Sequence, residues 1–503
     1  MRFLTIAVMA TLMAGYAAAR QAAPPAAPST APSLVPPPAE PVPPALAALH
    51  RDIAALLDGP GLQRATWGIA VQSLRTGERL FEHNPRTLLV PGSVMKVVTA
   101  AAVGAAVGWD HTFTTTVEAV GAIDAGTLNG DLVLRGGGDP STLGDGGTDL
   151  ASAIRDALAA RGVSRITGRV VGDDSAAEEP RPGLAWSWDD LGTASGAISG
   201  ALNATENVTR IIVRPGTAPG QPATVEPPAD DLAMLIVNRS TTGAAGSPQT
   251  LWAERRPGEA GLAIEGSLAH ETRPVILTVA VGNPTLWTAR LVRSRLIATG
   301  VVVDGDAVDV DDLREVPASG EVLVAVPSRP LAAIVTPMLK RSINMYADAL
   351  LRLATGKDGP RETPAALAAV GRRLREWGVA EDAATIVDGS ALSRRNLLSA
   401  EALVAVLAHE RDGVNASPLL QALPVAGVDG TLAERMKGTP AGGNVRAKTG
   451  TMTGVRSLAG YVTTRDGEPL AFAVVVNNYE GAAPVAVTAI DMIAVRLAGF
   501  SRR

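Results

Sequence analysis

The sequence predicts a mixed α/β (α+β) fold in which both chain ends build one domain, an antiparallel sheet flanked by helices, split by a large β-rich insertion. Three observations carry this. Residues 66–107 read as strand, turn, strand and helix, and 454–499 repeat that style as strand, turn, strand and helix. Between about 110 and 315 the chain turns instead to β-branched runs, glycine turns and paired acids. With 503 residues, 46% apolar and 19% charged, it can bury substantial cores, and about one domain per 150 residues gives two to four.

The chain opens with Arg2, the apolar "FLTIAVMATLMAGYAAA" and a small-residue Ala17-x-Ala19 before Arg20, which reads as an export signal over 1–19 with cleavage before Arg20, a retained membrane anchor being the alternative. Residues 20–45, dominated by Pro and Ala, read as an extended tether. No other run is long enough to span a bilayer, so no stable membrane span is expected after cleavage. The absence of cysteine excludes a disulfide framework and a lipid-modified cysteine at the cleavage site.

From residue 46, "ALAALHRDIAALL" has helical spacing. "TWGIAVQSL" and "RLFEHN" then form a hairpin through "RTGE". Pro91 and Gly92 end the strand signal, and Ser93 begins a helix expected to reach about Val107. Within the β-rich stretch, "DLASAIRDALAARG" and "TLWTARLVRSRLIATG" read as helices. Past about 318 helices return, with "RPLAAIVTPMLKRS" and "NMYADALLRLAT" on either side of a short break. The net charge of −5, with no strongly basic block, argues against a nucleic-acid partner and leaves a small substrate or a matrix polymer.

Ser93 and Lys96 stand three residues apart at the head of an almost wholly apolar helix. One turn sets them on neighbouring faces, the helix start favours negative charge on the serine oxygen, and a desolvated lysine can release its proton near neutral pH. Alone this spacing is common, and a capping serine with a snorkelling lysine explains it as well. "KRSINMY" supplies Ser342 and Asn344 at a break between helices, and "NVRAKTGTMTGV" supplies Lys448, Thr449 and Gly450 ahead of a strand hairpin. S-x-x-K, S-x-N and K-T-G in this order are the set found in penicillin-binding proteins and serine β-lactamases.

About 250 positions separate Ser93 from Ser342, far more than most β-lactamases have. With "LVLRGGGDPST", "GRVVGDDS", "WSWDDLG", "DGSALSRRN" and "LPVAGVDGTLAERM", the chain resembles the D-alanyl-D-alanine carboxypeptidase/endopeptidase family, the class C low-molecular-mass penicillin-binding proteins, over about 48–500. The resemblance implies a transpeptidase/β-lactamase-like catalytic domain at 46–109 and 318–503. It also implies an inserted domain II at 110–205 and 273–317, and an inserted domain III at 206–272.

It further implies that Ser93 attacks the D-Ala-D-Ala carbonyl to form an acyl-enzyme, with Lys96 as base. Ser342 and Lys448 would pass a proton to the leaving amine, and Asn344 would hold the substrate amide. Thr449 and Thr451, beside Gly450, would bind the terminal carboxylate, and the backbone N–H groups of Ser93 and Thr451 would form the oxyanion hole. Asp174 and Arg394 would contact the stem-peptide side chain. The implied partners are peptidoglycan stem peptides and acylating β-lactams, the location is the periplasm or cell-wall space, and no cofactor or metal is expected. Ile343 and Ala391 depart from the family, which usually has a polar residue and a glycine there; Ala391 is expected to be neutral.

Other readings of single features are weaker. "RGGGDPST" lacks the Lys-Ser/Thr ending of a P-loop, and His50, His83, His111, His270 and His409 adjoin no motif, which gives a histidine triad or metal site little support. Trp186 and Trp188 are expected to anchor core. Two functional alternatives stay open: a β-lactamase or esterase on the same scaffold, and a catalytically silent wall-binding protein.

Overall fold

Strand Thr66–Ser73 of the first hairpin and the last two strands are near-continuous apolar runs, buried on both faces of one sheet that joins both chain ends. In the computed structural model, which describes residues 43–503 apart from 227–234, 257, 260, 412–417 and 482, five antiparallel strands lie side by side. Their order is Arg79–His83, Thr66–Ser73, Pro469–Asn477, Val455–Thr463 and Arg446–Met452. The expected export signal and nearly all of the tether lie outside the described residues. The first helix, Pro44–Leu57, starts two residues inside the expected tether, because Pro44 brings a helix-compatible φ and needs no N–H partner there.

The two faces of the sheet bury different partners. Leu49, Ile53 and Leu57 of that first helix join Ile490, Ile493 and Leu497 of the last helix, Ala483–Gly499, over Trp67, Ile69, Phe472 and Val474. On the opposite face, Leu403, Val406 and Leu407 of helix Ala400–Arg411 cover Ala70, Ala473 and Val475. The same core holds helix Met95–Val107, in which only Ala105 and Ala106 are not fully buried. A helix apolar on all sides is a central core helix.

The β-rich stretch forms its own layers. Strands Val302–Val303, Arg165–Ile166, Thr127–Arg135, Thr114–Asp124 and Glu321–Pro327 run across one sheet, with Val170–Asp173 pairing both Thr127–Arg135 and Ala307–Asp309. Helices Leu150–Ala160 and Pro284–Ala298 seal it through Ile154, Leu158, Leu291 and Val292. Smaller sheets include Val275–Ala280, Val208–Arg214 and Thr224–Glu226 in one, and Trp252–Glu254, Gly261–Glu265 and Leu235–Asn238 in another.

Strand pairing moves two expected boundaries. Val275–Ala280 pairs along Val208–Arg214, so the stretch that begins at 206 runs beyond 272. Glu321–Pro327 pairs with Thr114–Asp124, so the chain leaves the insertion's sheet after Pro327 rather than at 318. Both strands are short and apolar, and only their hydrogen-bond partners assign them to a sheet. Among the described residues no helix is long and apolar enough to cross a membrane.

Candidate active site

Ser93 sits in a 3-10 turn, Gly92–Val94, that feeds the central helix. Lys96, one turn later, is fully buried. Its Nζ lies 2.9 Å from Ser93 Oγ, 2.6 Å from Asn344 Oδ1 and 3.0 Å from the Ser390 carbonyl. An amide oxygen and a carbonyl can only accept, whereas a hydroxyl can also donate. A free amine, with two N–H bonds and one lone pair, satisfies all three partners when the Ser93 O–H points at it. Burial drives the Lys96 pKa down to about 8, against the opposing pull of Asp348 and Asp388.

Ser342 caps helix Leu331–Arg341 in the left-handed region, at φ +64°. This turn reverses the chain and lets helix Asn344–Leu351 start with Asn344 facing the cleft. While Asn344 Oδ1 meets Lys96, its Nδ2 donates to the Ser195 carbonyl at 2.9 Å, which ties the inserted portion to the site. Between them, Ile343 packs against the core around the central helix, so this departure from a polar residue extends the apolar wall.

Lys448 projects from the edge strand Arg446–Met452, where pairing begins two residues before the lysine rather than after the motif. It is fully buried, and its Nζ donates to Ser342 Oγ at 2.9 Å and to the Thr449 carbonyl at 2.8 Å. Burial, with Lys96 charge adding to it, pushes its pKa well below the ordinary lysine range. Thr449 Oγ1 donates to Thr431 Oγ1 at 2.8 Å, while Thr451 is exposed at the mouth.

Gly450 is required by close approach. A Cβ there would meet Ser457 Oγ at 2.1 Å, the Pro91 carbonyl at 2.7 Å and Ser93 N at 3.1 Å. Gly92, at φ +57°, would reciprocally place a Cβ 3.2 Å from Thr451 N. The edge strand therefore lies backbone to backbone on the Ser93 turn, held by the Ser457 hydroxyl donating to the Pro91 carbonyl at 2.6 Å. This contact sets the Ser93 and Thr451 N–H groups beside one cleft.

The remaining expected residues divide. Arg394 is exposed and donates from Nη1 to the Thr453 carbonyl at 2.9 Å, next to the end of the edge strand. Asp174 is not brought to the three motifs. It is 5% exposed, accepts from Thr285 Oγ1 at 2.6 Å, and lies close to Asp309 and Asp311, with burial pushing its pKa up. Trp188 is 50% exposed and so is no core anchor, and the half-buried Trp186 donates to Asp388 at 3.0 Å.

Ser195, Ser390, Thr431, Asp348 and Asp388 carry parts of the site that motif reading passed over. Ser195 and Ser390 act through backbone carbonyls, which no side-chain pattern marks. Asp388 accepts from the N–H groups of Ala391 and Ser393 and from Asn396 Nδ2, and its signal lay in "DGSALSRRN", quoted for resemblance but given no role. Ala391, expected to be neutral, has φ +63°. A glycine adopts that conformation freely, whereas an alanine does so at a cost of about 1 kcal/mol.

Two partly exposed serines, each held by a fully buried lysine, with an asparagine on the Lys96 amine, are the arrangement of an acyl-transfer site. A model of the D-Ala-D-Ala carboxypeptidase 3 (S13) family matches residues 49–498. The chain belongs to this family. It is accordingly a serine-type D-Ala-D-Ala carboxypeptidase, a penicillin-binding protein by class. A D-alanyl-D-alanine carboxypeptidase of Actinomadura sp. (strain R39) is 37% identical over 472 residues, covering 91% of this chain and 85% of that one. The crystal structure of penicillin binding protein 4 (dacB) from Haemophilus influenzae matches with a TM-score of 0.76 and 27% identity, covering 88% of this chain and 97% of that one. A complex of the same Haemophilus protein with a β-lactam matches with a TM-score of 0.71 at 25% identity, over 88% and 97% of the two chains. The S13 relatives thus share the transpeptidase/β-lactamase-like fold with its insertion.

Proposed function

We propose that the protein is an exported DD-peptidase that removes the terminal D-Ala of peptidoglycan stem peptides through an acyl-enzyme on Ser93. The 2.9 Å contact between Lys96 Nζ and Ser93 Oγ carries this reading. Ser93 Oγ attacks the carbonyl carbon of the penultimate D-Ala as its proton passes to the free amine of Lys96. The N–H groups of Ser93 and Thr451 receive the oxyanion. Collapse of the tetrahedral species breaks the C–N bond, the proton held by Lys96 is relayed through the Ser342 hydroxyl, held by Lys448, to the leaving nitrogen, and D-Ala departs with Lys96 again a free amine. Water then hydrolyses the ester and restores the Ser93 hydroxyl.

Asn344 holds Lys96 with one end of its amide, and in this reading the cleft beside it receives the substrate amide. Thr449 and Thr451 bind the terminal carboxylate, which Lys448 favours electrostatically. Arg394 stands at the strand end where the rest of the stem peptide would lie. Asp174, enclosed by Thr285 and its acidic neighbours, supports the inserted layers in this reading instead of touching substrate.

Cross-link cleavage, an endopeptidase action, uses the same steps on a D-Ala amide with a longer leaving amine. The β-lactam complex of the Haemophilus relative supports acylation of Ser93 by penicillins here. Export to the periplasm or wall space is supported by the leader-like sequence of residues 1–19. The catalytic domain in this proposal comprises 46–109 and the chain after Pro327, with the sheets between them as inserted domains.

A peptide ending in D-Ala-D-Ala tests the reading. The wild type is expected to release free D-Ala and the Ser93→Ala variant none, and a cross-linked dimer assayed in parallel reports the endopeptidase action. Release undiminished in the variant would remove Ser93 from the reaction.

A further inference from the structure

Lys96 sits between two carboxylates that the reaction scheme above does not use, and one of them is built into its hydrogen-bond network. Asp348 lies four residues after Asn344 on helix Asn344–Leu351, so both side chains leave the same helix face. Asn344 contacts Lys96 directly. Asp348 works one bond further away: its Oδ1 accepts from Gly389 N at 2.9 Å and from Ser390 N at 3.1 Å. The carbonyls of the same two residues then accept from the central helix, Gly389 from Thr99 Oγ1 at 2.7 Å and Ser390 from Lys96 Nζ at 3.0 Å.

The second oxygen, Oδ2, is buried with no hydrogen-bond partner among the described residues. Asp348 lines a cavity of about 390 Å³ together with Trp186, Arg352 and Asp388. Arg352 is itself buried there with an unpartnered Nε. An acceptor left without a donor in such a place is a natural proton acceptor, because a neutral carboxyl loses less on burial than a carboxylate.

We propose that Asp348 is a positioning residue for Lys96: Oδ1 fixes the Ser390 carbonyl against the amine, and the charge on the carboxyl sets how tightly Lys96 holds its proton. This rests on the reading of Lys96 as the base for Ser93. The charged groups facing Lys96 are Asp348 from its helix, Asp388 from the following loop and Lys448 from the edge strand. Those facing Asp348 are Lys96, Asp388 and Arg352. Burial, with Asp388 adding to it, pushes the Asp348 pKa up to about 7, so the carboxyl gains its charge just below the range in which Lys96 gives up a proton. A charged Asp348 holds that proton on Lys96; a neutral one releases it.

Second-order acylation by benzylpenicillin, followed across pH in the wild type, Asp348→Asn and Asp348→Glu, tests this. Asn keeps an acceptor for the Gly389 and Ser390 N–H groups but removes the charge. Its acid limb is expected about one pH unit below that of the wild type, a roughly tenfold faster reaction on the limb relative to its own plateau. Glu, which retains the charge, is expected to keep the limb at the wild-type position. If the Asn variant does not fold, Asp348→Ser removes the same charge and takes its place. An Asn or Ser limb that coincides with the wild type, or a Glu limb that moves with Asn, overturns the proposal while leaving Ser93 and Lys96 in their roles. Failure of the wild type itself to be acylated overturns both.

Discussion

Lys448 Nζ stands 2.9 Å from Ser342 Oγ, the same separation at which Lys96 meets Ser93. Both amines are fully buried, and each raises the cost of charging the other. Burial thus pulls both lysines below their ordinary range, Lys96 to about 8, so that the Lys96 amine can take up the Ser93 proton near neutral pH.

The pH dependence of acylation follows from this. Lys96 must be free to accept the Ser93 proton, and its pKa is down at about 8. The rate is expected to rise about tenfold per pH unit below that value and level above it; the sign follows because protonated Lys96 has no lone pair. Stopped-flow acylation measures it. Lys96→Met is expected to lower the plateau by about 10²–10⁴-fold, the usual span for a lost general base. It also leaves Asn344 Oδ1 and the Ser390 carbonyl without their donor, at a stability cost of about 1–3 kcal/mol.

Gly450→Ala tests whether the edge strand needs its contact with the Ser93 turn. The added methyl would meet Ser457 Oγ and the Pro91 carbonyl inside van der Waals range, so the strand must move away. Denaturant unfolding is expected to show a loss of about 1–3 kcal/mol, with acylation falling further than stability because the Ser93 and Thr451 N–H groups separate. Acylation at the wild-type rate would show that their spacing is not critical.

Left-handed backbone separates strain kept for chemistry from strain without such use. Ser342 and Ala391 have φ of +64° and +63°. Ala391→Gly is expected to relieve about 1 kcal/mol, read as a rise in Tm, whereas Ser342→Gly also strips the buried Lys448 Nζ of its hydroxyl partner, at about 1–3 kcal/mol, and is expected to give no such rise. Ser342→Gly is expected to lose D-Ala release along with the hydroxyl, whereas Ala391→Gly keeps it.

The three motifs were legible because each needs particular side chains at fixed spacing: Ser93 and Lys96 one turn apart, Ser342 and Asn344 across a break, Lys448 on a strand. The split sheet was legible from the strand, turn, strand and helix pattern shared by both chain ends. The layer beneath Lys96 was not. Ser390 and Ser195 contribute carbonyls, and Asp348 reads as one more acid on an amphipathic helix until folding brings Gly389 and Ser390 onto its oxygen. Asp174 follows strand Val170–Asp173 and meets Thr285, a partner distant in sequence that its own motif does not signal. The strands Val275–Ala280 and Glu321–Pro327 crossed their expected boundaries for a similar reason, since partners distant in sequence decide their sheets.

Labelling with a fluorescent penicillin tests most directly that Ser93 is the nucleophile of this site. The purified protein is expected to form a stable adduct that is absent in Ser93→Ala. An adduct that forms and clears within a single incubation would turn the reading toward a β-lactamase. No adduct on the wild type, or equal labelling of the variant, would contradict it.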